Sequence, residues 1–171
     1  MFVGSLLLFI AGLYIIILTS LPFFNKLFGT KWAIGEDVEF VYNRIMILVA
    51  IILGKLTGIT QYFKYKNTTS KYLWSKLWLP TLVALLVSGC ISYFGNIQYD
   101  KYGMGYLVAI HLAILAAVYT VIANSYYLAS IIKWKMKAAG ASIAHVGFGL
   151  MLVGILISSS KKELISEKIG R

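Results

Sequence analysis

Gly140-Ala141-Ser142-Ile143-Ala144-His145-Val146-Gly147-Phe148-Gly149 is the stretch on which the reading of this chain turns. It lies inside an apolar run, residues 138–158, and sets one of the chain's two histidines among small side chains. A run of that length matches the ~20 residues that a helix needs to cross a hydrocarbon core. His145 is then an ionisable group carried into a membrane, and the rest of the chain must supply the membrane helices around it.

Four further runs of the same kind occur at about residues 2–20, 41–63, 77–94 and 103–128. Sixty per cent of the 171 residues are hydrophobic, 13% are charged and only two are proline. The mean hydropathy is +0.81. Lipid offers no partner to a backbone N–H or C=O, so spanning segments must be helices or closed barrels, and continuous rather than alternating apolar runs favour helices. The expected fold is an all-α membrane protein, a single region of about five transmembrane helices in a bundle over residues 1–171, with connections too short for a soluble domain. The first run has no basic stretch ahead of it and no small-residue cleavage site behind, so it reads as a retained helix.

Between the runs, Leu21-Pro22 ends the first helix, and residues 23–40 alternate aromatic and polar side chains in the manner of an interfacial segment. Phe23, Phe24 and Trp32 are its expected anchors. Asn43 suits the N-cap of the second helix, and Pro80 the first turn of the third, where a missing N–H is harmless. Residues 95–102 read as a short polar turn, and residues 161–171 as a charged tail. Cys90, the one cysteine, lies within an apolar run and reads as a buried, inert thiol; no internal disulfide or paired redox motif can form.

Sixteen Lys and Arg against six Asp and Glu give a formal charge of +10. In a soluble domain that excess would raise nucleic acid. Here the lysines lie between apolar runs, which excludes nucleic acid and points to anionic lipid headgroups as their partners. Lys64, Lys66, Lys71 and Lys76 follow the second run, and Lys133, Lys135 and Lys137 the fourth, with no acid among them. The positive-inside rule places both loops in the cytoplasm, the N-terminus inside and the C-terminus on the periplasmic side.

Ionisable residues within spanning helices are candidates for function: Lys55, His111 and His145. Lys55 either snorkels beside Gly54 and Gly58 or pairs with an anionic group such as a cofactor carboxylate. The histidines can bind a metal or haem iron, relay protons, or hydrogen-bond a neighbouring helix. Gly140, Gly147 and Gly154 recur every seven residues, a stripe that admits another backbone or a flat ligand. Counting from the expected helix ends, the two histidines differ in level by roughly 8 Å, so a ligand pair within the chain is geometrically allowed. Arg44, near Glu36, Asp37 and Glu39, can pair with those acids.

Four stretches together resemble one family. Ala144-His145-Val146-Gly147, continuing to Leu150-Met151-Leu152-Val153-Gly154-Ile155, is similar to the small-residue histidine helix of the CcmF-type cytochrome c haem lyases. Thr19-Ser20-Leu21-Pro22, Tyr42-Asn43-Arg44 and Gly58-Ile59-Thr60-Gln61-Tyr62 resemble other stretches of that family in the same order. The resemblance implies a part in attaching haem to apocytochrome c at the inner (cytoplasmic) membrane of a bacterium. It implies a haem b held between two histidines of different helices, with His145 as an axial ligand of the haem iron and Gly147 beside it. It also implies, as partners, the haem chaperone, apocytochrome c, thiol-reducing maturation subunits and quinol. Lys55 stands where the family's helix is largely apolar; with a haem against His145 it could approach a propionate, whereas His111 matches no family position. The family's tryptophan-rich WWD segment and its other transmembrane haem histidine have no counterpart here. The chain is therefore expected to be a fragment or a split subunit, with the WWD-containing part elsewhere and no ligation by this chain alone. A reading from another class remains open: a cofactor-free structural or assembly subunit that packs through the Gly140, Gly147 and Gly154 stripe. A transporter piece is disfavoured by the lack of an internal repeat and of an interrupted helix pair.

Overall fold

The computed structural model describes residues 2–64, 67–97 and 102–169, with side chains up to residue 160. Lys66, Asp100, Lys101 and the side chains of the tail lie outside this set. The described residues form six α-helices and one 3-10 turn. Five of the helices are long and apolar enough to cross a membrane, so the chain is a multi-pass, all-helical protein.

It divides into two compact units, Met1–Val49 and Ala50–Arg171. In the first, α1 (Phe2–Thr19) is apolar on every side and buries only Ala11, as suits a helix facing lipid or another chain. Tyr14 donates to the Val41 carbonyl at 2.8 Å, and its ring meets that of Tyr42 edge-on. Pro22 opens a new helix rather than merely ending the first: α2 (Leu21–Phe28) carries it in its first turn and closes at Gly29, whose φ of 65° favours a residue without Cβ. The loop beyond is held by Asn25. Its amide donates to the Trp32 carbonyl at 2.6 Å, and its oxygen accepts from Thr30 at 2.8 Å and from the Trp32 N–H at 3.0 Å. Phe23 and Trp32 are left exposed, while Phe24 stacks on Phe28.

Helix α3 (Val38–Ile59), extended by the 3-10 turn Thr60–Tyr62, passes from the first unit into the second. It starts earlier than the sequence suggests. The Asp37 carboxylate accepts the Phe40 N–H at 3.0 Å and caps the helix, so Asn43 lies inside it. The second unit continues with α4 (Ser70–Phe94), α5 (Met104–Ser130) and α6 (Met136–Ile169). Helix α4 begins at Ser70, after the N-cap Thr69, whose carbonyl accepts from the Tyr72 and Leu73 N–H groups; Ser70 to Lys76 are too polar to count towards an apolar run. Pro80 therefore lies in the helix interior and not in its first turn, where it leaves the Lys76 carbonyl without its usual N–H. Helix α6 likewise carries on through the charged tail to Ile169.

At the centre stands α5, which buries Ile110, Ala113, Ile114, Ala116, Ala117 and Ala123 among others. Small side chains let its neighbours come close. A Cβ on Gly54 would stand 2.9 Å from the Ala116 carbonyl oxygen, and one on Gly58 would meet the Tyr119 ring and Ala123. With Tyr62 donating to the Ala123 carbonyl at 2.6 Å, residue numbers rise together along the two helices, so α3 and α5 are parallel. Ser92 meets His111 while Thr81 meets Tyr119, so α4 is antiparallel to α5. Helix α4 turns Pro80, Ala84 and Ser88 inward. Cys90, two positions from Ser88 and so about 200° round the helix, is exposed rather than buried.

Candidate functional site: a polar junction between three helices

Two polar pairs recur at one-turn spacing: Thr57 in α3 with Gln61 in the 3-10 turn that extends it, and Thr120 with Asn124 in α5. They face each other because the glycine contacts bring the two helices together. Thr120 is fully buried and lies within hydrogen-bond reach of the Gly54 carbonyl at 2.7 Å and of its own helix's Ala116 carbonyl at 2.9 Å. Thr57 lies 3.3 Å from it, hydroxyl to hydroxyl. The Asn124 amide donates to the Thr57 carbonyl at 3.2 Å and to the Thr120 carbonyl at 2.8 Å. Each bond joins a helix to its neighbour or braces the residue that does so.

Helix α6 closes the junction. Ser142, fully buried, lies 3.1 Å from the Gln61 side-chain oxygen and donates to it. Seven residues on, Gly149 fits against Ala117, Thr120 and Val121, where a Cβ would come within 2.9 Å of the Ala117 carbonyl oxygen. Later residues of α6 thus meet earlier residues of α5, and the two are antiparallel. Ala139, Ser142, Leu156 and Ser160, all buried, share this inward face with Gly149.

The register of these contacts places the candidate residues. Gly149 is level with about residue 119 of α5, so His145, about one turn earlier on the antiparallel helix, is level with about residue 123. His145 is half-buried, and its imidazole has no hydrogen-bond partner among the described residues. His111 stands elsewhere. Its Nδ1 lies 2.9 Å from the Ser92 hydroxyl on α4, a bond between helices. Twelve residues of α5 separate the levels of the two histidines, about 18 Å at the helical rise, in place of the roughly 8 Å counted from expected helix ends. No single iron reaches both.

Lys55 and Gly147 also part company with His145. Lys55 is exposed and lies two positions from Thr57, so it points about 200° round α3 from the junction. Gly147 is two positions from His145, on nearly the opposite side of α6. It is exposed, and nothing approaches the place of a Cβ on it, or on Gly140 or Gly154, within 4 Å. The glycine stripe and the histidine, adjacent in sequence, serve two different faces.

Sequence reasoning singled out the histidines and missed Thr57, Thr120, Asn124 and Ser142. The available signal was the one-turn repeat of polar residues, Thr57 with Gln61 and Thr120 with Asn124. One atom of the junction is unsatisfied: Asn124 Oδ1 is buried with no hydrogen-bond partner. No cluster of three or more His, Cys, Asp or Glu suited to a metal ion occurs among the described residues. No family model, curated protein or solved structure matches the chain.

Proposed function

We propose that this chain is the membrane haem-binding part of a cytochrome c maturation haem lyase of the CcmF type, with His145 as one axial ligand of a haem b. The observation that carries the reading is His145 itself, an imidazole within a spanning helix, half-buried at a polar junction and without a partner among the described residues. A side chain so placed is expensive in lipid unless something uses it. The four stretches resembling the family agree in order with this reading. The chain's own residues bind and orient: His145 offers a nitrogen to the iron, while the Thr57, Thr120 and Gln61–Ser142 contacts hold α3, α5 and α6 in place around it. A haem held here supplies one-electron transfer, from quinol towards the haem being attached to apocytochrome c. The WWD-containing part, the haem chaperone and the thiol-reducing subunits belong to the remainder of the assembly, in a bacterial inner membrane with the N-terminus cytoplasmic. Purified from haem-replete cells together with its partner segment, the chain is expected to show a b-type Soret band that His145→Ala largely removes. Unchanged haem content in that variant would sink the assignment.

A second reading is favoured by the open glycine face. A cofactor-free assembly subunit would use Gly140, Gly147 and Gly154 to receive a partner's helix. In that case His145→Ala leaves co-purification of the partner intact, whereas Gly147→Leu abolishes it.

A further inference from the structure

We infer that Asn124 is the positioning residue of His145: its Oδ1 accepts the N–H of the imidazole nitrogen that does not face iron. This rests on His145 being an axial ligand. Both hydrogens of the Asn124 amide are committed, one to the Thr57 carbonyl and one to the Thr120 carbonyl. Turning the amide over would set its oxygen against two other oxygens, so the direction of Oδ1 is fixed. That oxygen is buried and accepts nothing, a condition that is costly in a protein interior.

The donors nearby are mostly used. The Thr57 and Thr120 hydroxyls turn to backbone carbonyls, Ser142 to Gln61 and Tyr62 to the Ala123 carbonyl. Two side chains at this level keep an uncommitted N–H: His145, level with about residue 123, and the Gln61 amide. A neutral imidazole that gives one nitrogen to a metal carries its proton on the other, and metal-bound histidines almost always donate that proton to a carbonyl, a carboxylate or water. Asn124 Oδ1 is a buried carbonyl of fixed direction with no donor, and His145 a donor with no acceptor. A turn of the imidazole about its own torsions as haem binds joins them, and the amide then sets the tautomer and the plane of the ring.

The test uses the full chain in lipid nanodiscs, titrated with haemin while free imidazole supplies the other axial position. Asn124→Leu is expected to weaken haemin binding about 10–100-fold and to shift the g-values of the low-spin ferric haem. Thr57→Val loosens the same junction without touching Oδ1 and is expected to leave the spectrum unchanged. Wild-type affinity and spectrum in Asn124→Leu, with haem lost in His145→Ala, would overturn the role of Asn124 and leave the ligand assignment standing; Oδ1 then belongs to Gln61. The same spectral change in Thr57→Val would make the effect one of packing and also overturn it. Haem retained in His145→Ala removes the ligand assignment itself.

Discussion

The two faces of α6 are built from the same kinds of residue and meet opposite surroundings. Gly149, on the inner face, is pressed against Ala117, Thr120 and Val121, whereas Gly140, Gly147 and Gly154 on the outer face meet nothing within 4 Å. A small residue makes close approach possible, but only a complementary surface makes it happen. On the inner side α5 is that surface, through Ala117, Thr120 and Val121. On the outer side the described residues supply none. Glycine spacing alone does not say which of two stripes is the internal seam.

The contrast can be broken by adding bulk to each face. Gly149→Leu has the largest expected effect: the added side chain must displace α5 backbone, and a loss of at least ~3 kcal/mol is expected in reversible unfolding from mixed micelles. Gly54→Ala carries the comparison to α3. A single methyl 2.9 Å from the Ala116 carbonyl oxygen should cost about 1–3 kcal/mol in the same measurement, while Gly89→Ala on α4, with open space around it, should stay within about 0.5 kcal/mol. Ser142→Ala removes one bond between α6 and α3 and leaves Gln61 half-buried, so a loss of about 0.5–1 kcal/mol is expected. Smallest is Gly147→Leu, within about 0.5 kcal/mol for the chain alone. A large destabilisation by Gly147→Leu, or none by Gly149→Leu, would reverse the assignment of the two faces.

Much of the fold was legible from hydropathy, because length and continuity of an apolar run report directly on membrane crossing. All five expected spans are present as helices. Helix ends were less legible wherever the helix leaves the apolar run: Ser70 to Lys76 and the tail to Ile169 are helical and polar, and α3 starts at a cap, Asp37, that hydropathy does not register. The junction was harder still. Thr57, Thr120, Asn124 and Ser142 acquire their meaning from a register between α3, α5 and α6 that no single segment encodes. His145 stood out as an ionisable residue in a spanning helix, but its separation from His111, Lys55 and Gly147 follows from helix rotation and from where Gly149 docks. Cys90 shows the same limit: an apolar run tells that a residue is in the membrane, and not whether it faces protein or lipid.

The parallel pairing of α3 with α5 also sets an order in time. Thr120, whose hydroxyl reaches the Gly54 carbonyl, is made 66 residues after Gly54. At 5–20 residues per second, α3 waits about 3–13 s for its partner during synthesis. Through that interval its glycine face is open to lipid or to whatever assists insertion. Helices α4 and α5, joined by a short connection, can form their antiparallel hairpin as soon as both are inserted. The chain is thus expected to assemble from its middle outwards, with α3 docking on a hairpin already in place and α6 sealing the junction last.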